Sequence, residues 1–318
     1  MSGVGTFIFG RPRPSLSQRQ ADPFYTLVCE EPDKVRCSMI DLNKTFGHLS
    51  DEAYLDAVNS IVDAGAADEN FPAFPSESIQ EQFVGSAFRN ALAEAFVFYA
   101  HVKAIMLADG QRLTPDKQYL DFGCGWGRFI RFFGREVRPE NILGVDIDPD
   151  ILAVCKDTWV PGRLERIEPM GRIPAPDGSI DLTTAYSVFT HLPEPVHLHW
   201  KRELSRVTAP GGTVALTLEP RRFLDFIETE AGANQTPWQQ TMAQYAPQAQ
   251  ALRERFDAGE LVYLPTGGGA FRPTEIYGEA VVPLEYVRTH WSDAFDIVEY
   301  LDDPSQFWQA VLILRRKR

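Results

Sequence analysis

Leu120-Asp121-Phe122-Gly123-Cys124-Gly125-Trp126-Gly127-Arg128 runs from an apolar stretch straight into three glycines. Tyr119–Phe122 reads as a short strand, and residues 128–136 as the helix that follows it. A strand that turns on glycines into a helix leaves bare backbone at the carboxyl edge of a sheet. The missing Cβ atoms let a ligand come close, and the helix start offers unpaired N–H groups. The same turn also serves with no ligand, so the loop alone leaves both readings open.

Spacing narrows the choice. Dinucleotide loops run Gly-x-Gly-x-x-Gly, whereas here the third glycine arrives one residue early and position 128 is arginine, which disfavours NAD or FAD. No Gly-Lys-Ser/Thr occurs anywhere, so the phosphate-cradling loop of nucleotide triphosphatases is absent from the sequence. The next strand, residues 141–146, ends on Asp146, 19 residues after Gly127. An acid there accepts hydrogen bonds from a ribose diol. Its other reading is a cap for the helix that Pro149 opens.

Working outward, residues 149–159 read as a helix, 164–167 as a weak strand and 180–186 as a strand. Residues 195–207 are then a helix and 212–218 a strand. This alternation predicts a parallel sheet covered by helices. Two closing strands are expected at Phe295–Leu301 and 307–314. Upstream, residues 44–110 read as helical: Ser50 caps one helix that Gly65 ends, and a second starts at Ser76 and breaks near Gly85. In the third, Phe88, Leu92, Phe96, Tyr99, Val102 and Met106 form one apolar stripe. Residues 220–258 read as helical, and 261–279 as a loop holding Gly267-Gly268-Gly269.

The motif and its partners resemble the class I S-adenosylmethionine-dependent methyltransferases. The match lies in Leu120–Gly127, in Asp146, in residues 173–182 (Ile-Pro-Ala-Pro-Asp-Gly-Ser-Ile-Asp-Leu) and in Ala209-Pro210-Gly211-Gly212-Thr213. It covers roughly residues 118–220 plus the last two strands. The resemblance implies an α/β, doubly wound, Rossmann-like and mostly parallel sheet of seven strands, with one antiparallel. To this the sequence adds an N-terminal helical cap and a helical insertion before the last two strands. The expected divisions are an irregular segment 1–43, the cap 44–117, a core of 118–219 and 291–318, and an insertion or substrate flap 220–290.

The resemblance also implies S-adenosyl-L-methionine as cofactor. Asp121 would lie near its methionine moiety, with Gly123, Cys124, Gly125 and Gly127 passing the backbone beside it. Asp146 would hold the ribose, and Ile147 would lie against the adenine. The acid that the family often has near the adenine falls on Pro169; Glu168, one residue off, and a backbone N–H of Met170 are the two candidates for that contact. Tyr186 and Ser187 would border the transferred methyl. Arg128 has two readings, a contact with the cofactor carboxylate and a surface salt bridge.

Methyl transfer to a hydroxyl benefits from a general base. His191 follows the fourth strand and is the candidate; its alternative is a histidine that bonds backbone at a helix start. His197 and His199 do not converge on a helix, so no metal is expected. Phe83, Tyr99, Tyr25 and Tyr277 are candidate pocket residues, and the Gly267–Gly269 loop a candidate flap. Asp177 and Asp181 read as turn and strand-edge residues.

Composition bounds the partner. Lys and Arg number 31 against 44 Asp and Glu, a formal net charge of −13. That argues against nucleic acid and anionic lipid, which need a basic field, and favours a small-molecule acceptor, with oxygen preferred. Four cysteines without CxxC spacing fit a reducing cytoplasm. No basic segment precedes the apolar run 4–9, so no secretory signal is expected. Residues 91–108 are interrupted by Glu94, His101 and Lys103 and read as an amphipathic helix, not a membrane span. The competing function is a non-catalytic S-adenosylmethionine-binding sensor or partner protein, and a more distant one an NAD-dependent oxidoreductase.

Overall fold

The computed structural model describes residues 40–66, 68–229 and 236–318. Most of the expected irregular segment, with Tyr25, Cys29 and Cys37, lies outside the described residues. Among the described residues four helices come first: α1 (Leu42–Phe46), α2 (Asp51–Ala64), α3 (Glu77–Val84) and α4 (Phe88–Ala108). Their ends follow the local chemistry. The Ser50 hydroxyl accepts from Ala53 N at 3.2 Å, and Gly65 closes α2 at φ 59°. Ala87 stands before α4, with no side-chain cap.

The alternating part runs β1 (Tyr119–Phe122), α5 (Ile130–Phe133), β2 (Ile142–Asp146), α6 (Pro149–Asp157), β3 (Arg163–Arg166), β4 (Ile180–Ala185), α7 (Glu194–Val207) and β5 (Thr208–Leu218). Helices α8 (Arg222–Thr229), α9 (Pro237–Ala243) and α10 (Ala249–Asp257) follow. Then come β6 (Val262–Leu264), β7 (Glu279–Val281), α11 (Leu284–His290), β8 (Phe295–Leu301) and β9 (Ala310–Arg316).

Seven strands form one sheet in the order β3-β2-β1-β4-β5-β9-β8. All are parallel except β9, which runs antiparallel to both its neighbours. The fold is thus the doubly wound, Rossmann-like one. Alternation along β9 shows why both faces are covered: Val311 and Ile313 enter one core, Leu312 and Leu314 the other. The first core takes Tyr99, Val102 and Met106 of α4 with Phe132 and Phe133 of α5. The second takes Trp200 and Leu204 of α7 with Tyr286 and Val287 of α11. By length and composition α4 could cross a membrane, but Leu92, Phe98, Tyr99 and Val102 are buried in the protein core.

Three expectations change. Helix α5 is one turn, not residues 128–136, because Gly127 holds φ 75° and residues 125–129 turn instead of winding. The buried Arg131 guanidinium stabilises that turn by donating to Trp126 O at 2.7 Å and Gly127 O at 2.9 Å. The expected loop 261–279 contains β6 and leads into β7, and the two pair antiparallel as a separate small sheet. Its core is Phe223, Leu224, Ile227, Met242, Leu252, Val262, Leu264 and Val281. A parallel bridge between Glu219 and Val281 ties this sheet to the end of β5. Helix α11 has no counterpart in the sequence reading.

Candidate active site

Strand order reverses between β1 and β4, since β2 and β3 lie to one side and β5 to the other. Ligands of open α/β sheets bind outside the carboxyl ends of the strands at such a point. A cleft of about 1260 Å³, mouth included, opens there, between α3 and α4 on one side and the β6–β7 connection on the other.

The three glycines serve different purposes. A Cβ on Gly123 would fall 2.4 Å from Val188 Cγ2, and one on Gly127 2.7 Å from Val160 Cγ1. On Gly125 it would meet only Phe83 Cδ1, at 3.9 Å. So Gly123 and Gly127 are demanded by packing, while Gly125 faces the cleft. Gly123 and Gly127 line different neighbourhoods: the former is in the cleft wall with Cys124 and Gly125, the latter is not.

Asp146 ends β2 at the rim. Its Oδ2 accepts from Gly125 N and its Oδ1 from Asp148 N, both at 3.0 Å. The cap of α6 is Asp148, which accepts from Asp150 N, so Asp146 is free of that duty. Burial raises the Asp146 pKa, against the lowering effects of Arg272 and the two amides. Arg272, from the β6–β7 connection, brings Nη2 within 3.9 Å of Asp146 and 3.5 Å of Asp148. Its guanidinium also lies 5.5 Å from the Phe83 ring centre and 5.7 Å from that of Tyr277.

Asp121 stands behind the wall. Its Oδ1 accepts from Thr184 Oγ1 at 3.1 Å, and its Oδ2 is buried without a partner. Burial pushes its carboxyl up to about 7, although the Thr184 bond opposes this.

Opposite, Arg128 is buried, and its Nη1 contacts Glu94 Oε2 at 2.9 Å and Ala91 O at 3.2 Å. Glu94 also accepts from the Tyr186 hydroxyl. Neither reading of Arg128 fits fully: it borders the cleft, but as a buried pair with a cap acid, not a surface salt bridge.

At the β4 end, Ser187 holds φ 56°, a left-handed conformation that costs a non-glycine residue about 1–3 kcal/mol. Its N–H donates to Thr217 Oγ1 at 2.7 Å, and its hydroxyl receives Gln309 Nε2 at 3.0 Å. His191 Nδ1 lies 2.8 Å from Gly278 O and 3.4 Å from Glu279 Oε2, while Nε2 is 3.5 Å from Ser187 Oγ. The Tyr277 ring stacks on the imidazole at 4.5 Å. Burial is the largest single effect and depresses the His191 pKa, but Glu279, the Gly278 carbonyl and Glu219 together outweigh it and the net shift is upward. Glu219, at the end of β5, is pushed by burial to about 8.

Residues 120–216 match a family model described as a methyltransferase domain. This stretch is therefore similar to methyltransferase domains. An uncharacterised methyltransferase of Mycobacterium sp. strain KMS is 34% identical over 140 residues, 42% of this chain and 54% of that protein. Malonyl-[acyl-carrier protein] O-methyltransferase of Serratia marcescens is 30% identical over 151 residues, 44% of this chain and 53% of that protein. The chain thus spans about half the length of these curated relatives. A solved S-adenosylmethionine-dependent methyltransferase from Clostridium acetobutylicum ATCC 824 aligns with TM-score 0.47 at 11% identity, covering 70% of this chain and 92% of that one.

The cofactor that the resemblance implies for such a domain is S-adenosylmethionine. The residues present fit it: Gly125 leaves its side-chain position open to the cleft, Asp146 is an acid at the rim, and Asp121 keeps a buried oxygen unpartnered. Of the residues read from the sequence, Gly123, Cys124, Gly125, Arg128, Asp146, Ile147, Tyr186, Ser187, His191, Phe83 and Tyr277 border one cleft. Asp121 and Gly127 do not, the latter because it packs on Val160.

Two more readings need correction. Met170 is 48% exposed and absent from the wall, which Ile167 and Pro169 form there. Tyr99 is not a pocket residue; it is buried against Phe133, with its hydroxyl on Asp51 and Glu136 and the Lys103 ammonium donating to it. The apolar stripe of α4 packs its helix onto the sheet. Sequence reading missed Glu94, Glu219, Arg272, Glu279 and Gln309, each of which comes from outside the shared motifs.

Proposed function

We propose that the chain catalyses methyl transfer from S-adenosylmethionine to the hydroxyl oxygen of a small molecule. One observation carries the preference for oxygen. A carbonyl oxygen only accepts, so the 2.8 Å contact to Gly278 O fixes hydrogen on His191 Nδ1 and leaves the Nε2 lone pair toward Ser187 and the cleft. That is the nitrogen a general base uses. The bound cofactor supplies an electrophilic methyl: the acceptor oxygen's electron pair forms the new C–O bond while the C–S pair returns to sulfur.

The residues inferred to hold the cofactor are Asp146, Gly125, Ile147 and Tyr186, with Asp121 beneath them. Phe83 of the cap and Tyr277 of the insertion would close the acceptor space. The division into cap 44–117, core 118–219 with 291–318, and insertion 220–290 is part of the same reading. A net charge of −13 supports a small acceptor over nucleic acid, and a cytoplasmic setting is consistent with it. The Serratia marcescens relative is named an O-methyltransferase, in keeping with an oxygen acceptor.

The test is methyl transfer from isotopically labelled S-adenosylmethionine to a panel of phenols, alcohols, carboxylic acids and amines. Labelled ether product from a hydroxyl acceptor is expected. Labelling of amines alone would refute the oxygen reading. Tight binding without transfer to any acceptor would favour a sensor.

A further inference from the structure

Glu279 lies 88 residues from His191 in the chain, on β7 of the small second sheet. Three features hold it in place. Its residue pairs with Leu264 across the sheet, its Oε1 accepts from Trp238 Nε1 at 2.9 Å, and its side chain is only 7% exposed. Its Oε2 then faces His191 Nδ1 at 3.4 Å, beside the Gly278 carbonyl that takes the Nδ1 hydrogen. The groups facing the imidazole are therefore Glu279 and the Gly278 carbonyl from the insertion, Glu219 from β5, and Ser187 and Tyr277 on the cleft side. Glu219 itself accepts from Gln309 Nε2 at 3.0 Å, and Arg222 is the nearby cation that favours its ionised form.

We propose that Glu279 is the positioning residue for His191, holding the imidazole with Nε2 toward the cleft and stabilising the imidazolium formed when Nε2 takes the acceptor's proton. The inference rests on the methyl-transfer reading and narrows it: the acceptor carries a hydroxyl whose proton has to leave, since a carboxylate or neutral amine would not need this pair. In the step, the acceptor O–H bond breaks, its proton moves to Nε2, and the oxygen pair goes to the methyl carbon. Glu279 is the carboxylate held 3.4 Å from the imidazole, whereas burial pushes the Glu219 carboxyl up to about 8. Removing the group that orients a metal-ligating histidine costs about 10–100-fold, and a loss of that order is expected for this pair.

The experiment follows the His191 ring resonances by NMR as a function of pH in the full chain, and compares Glu279→Gln and Glu279→Asp. Glutamine keeps a carbonyl for Trp238 and the same volume, but removes the charge. The expected midpoint for the unaltered chain lies above 6.5, and it moves to lower pH in Glu279→Gln while Glu279→Asp stays close to the unaltered chain. With a hydroxyl acceptor, kcat of Glu279→Gln should fall about 10–100-fold, with the ascending limb of its pH profile moved the same way and S-adenosylhomocysteine affinity unchanged. A midpoint below 6.5 in the unaltered chain, or one that does not move in Glu279→Gln, overturns the proposal. Failure of the unaltered chain to methylate any hydroxyl acceptor would instead refute the methyl-transfer reading, and the resonance midpoints would still judge the Glu279–His191 pair.

Discussion

Gly125 and Gly127 sit two residues apart and both hold positive φ, yet a side chain on each meets different surroundings. Gly125→Val would put a branched group into the open cleft. It should abolish S-adenosylhomocysteine binding by calorimetry, with a stability loss of about 1–3 kcal/mol from a side chain at φ 52°; normal binding by the folded variant would remove the loop from the cofactor site. Gly127→Ala would instead press on Val160, 2.7 Å from the new Cβ. It should cost about 1–3 kcal/mol of stability, visible as a lower denaturant midpoint, with cofactor affinity kept in the folded fraction. Asp146→Asn retains one acceptor for the loop amides but loses the charge. An affinity loss of about 1.5–3 kcal/mol is expected, and an unchanged affinity would refute the ribose assignment. The placement of Gly125 and Asp146 at the cleft was legible in the sequence because their chemistry is local, a glycine turn and an acid at a strand end, whereas the packing of Gly127 on Val160 is long-range and was not. Tyr99 was misread for the converse reason. An aromatic on an amphipathic stripe is equally suited to a core or a pocket, and only the packing of α4 on the sheet separates them.

At the scale of elements, the β1–β5 alternation follows from motifs that turn strand into helix within a few residues. The second sheet does not. Its strands are three residues each, separated by 14 glycine- and proline-containing residues, too short for a period of two to register. The charged groups it carries, Arg272 at the cleft and Glu279 beside His191, were hidden with it. Arg272 joins the insertion to Asp146 and Asp148 across the cleft, beside Phe83 of α3. If this connection lies over a bound cofactor, the ion pairs oppose its departure. Arg272→Gln should then speed S-adenosylhomocysteine dissociation several-fold, as expected of a pair worth about 1 kcal/mol, and reduce the salt dependence of that rate. A stopped-flow dissociation rate equal to that of the unaltered chain would show that the connection does not cover the ligand.

For the whole molecule, buried titrating groups set opposing pH dependences. His197 is buried with Trp291 Nε1 donating to its Nε2 at 3.2 Å, and burial depresses its pKa to about 3. The unfolded chain binds that proton near 6.5, so this contribution is full above 6.5 and is lost as pH falls toward 3. Glu219 and Asp121 act the other way. Burial raises them to about 8 and about 7, so their contribution is present below about 4 and is lost as pH rises through those values. Glu219→Gln keeps an acceptor for Gln309 and removes the ionisation. Thermal melts should therefore show a smaller loss of stability between pH 6.5 and 8 than in the unaltered chain; equal slopes would mean that Glu219 ionises normally. All of this surrounds the cleft that we propose holds S-adenosylmethionine. The most direct measurement is calorimetric titration of S-adenosylhomocysteine, with NAD in parallel, into the unaltered chain and Gly125→Val. Saturable binding of S-adenosylhomocysteine at one site per chain, lost in Gly125→Val and absent for NAD, is the predicted result. No heat from S-adenosylhomocysteine, or binding of NAD in its place, would contradict it.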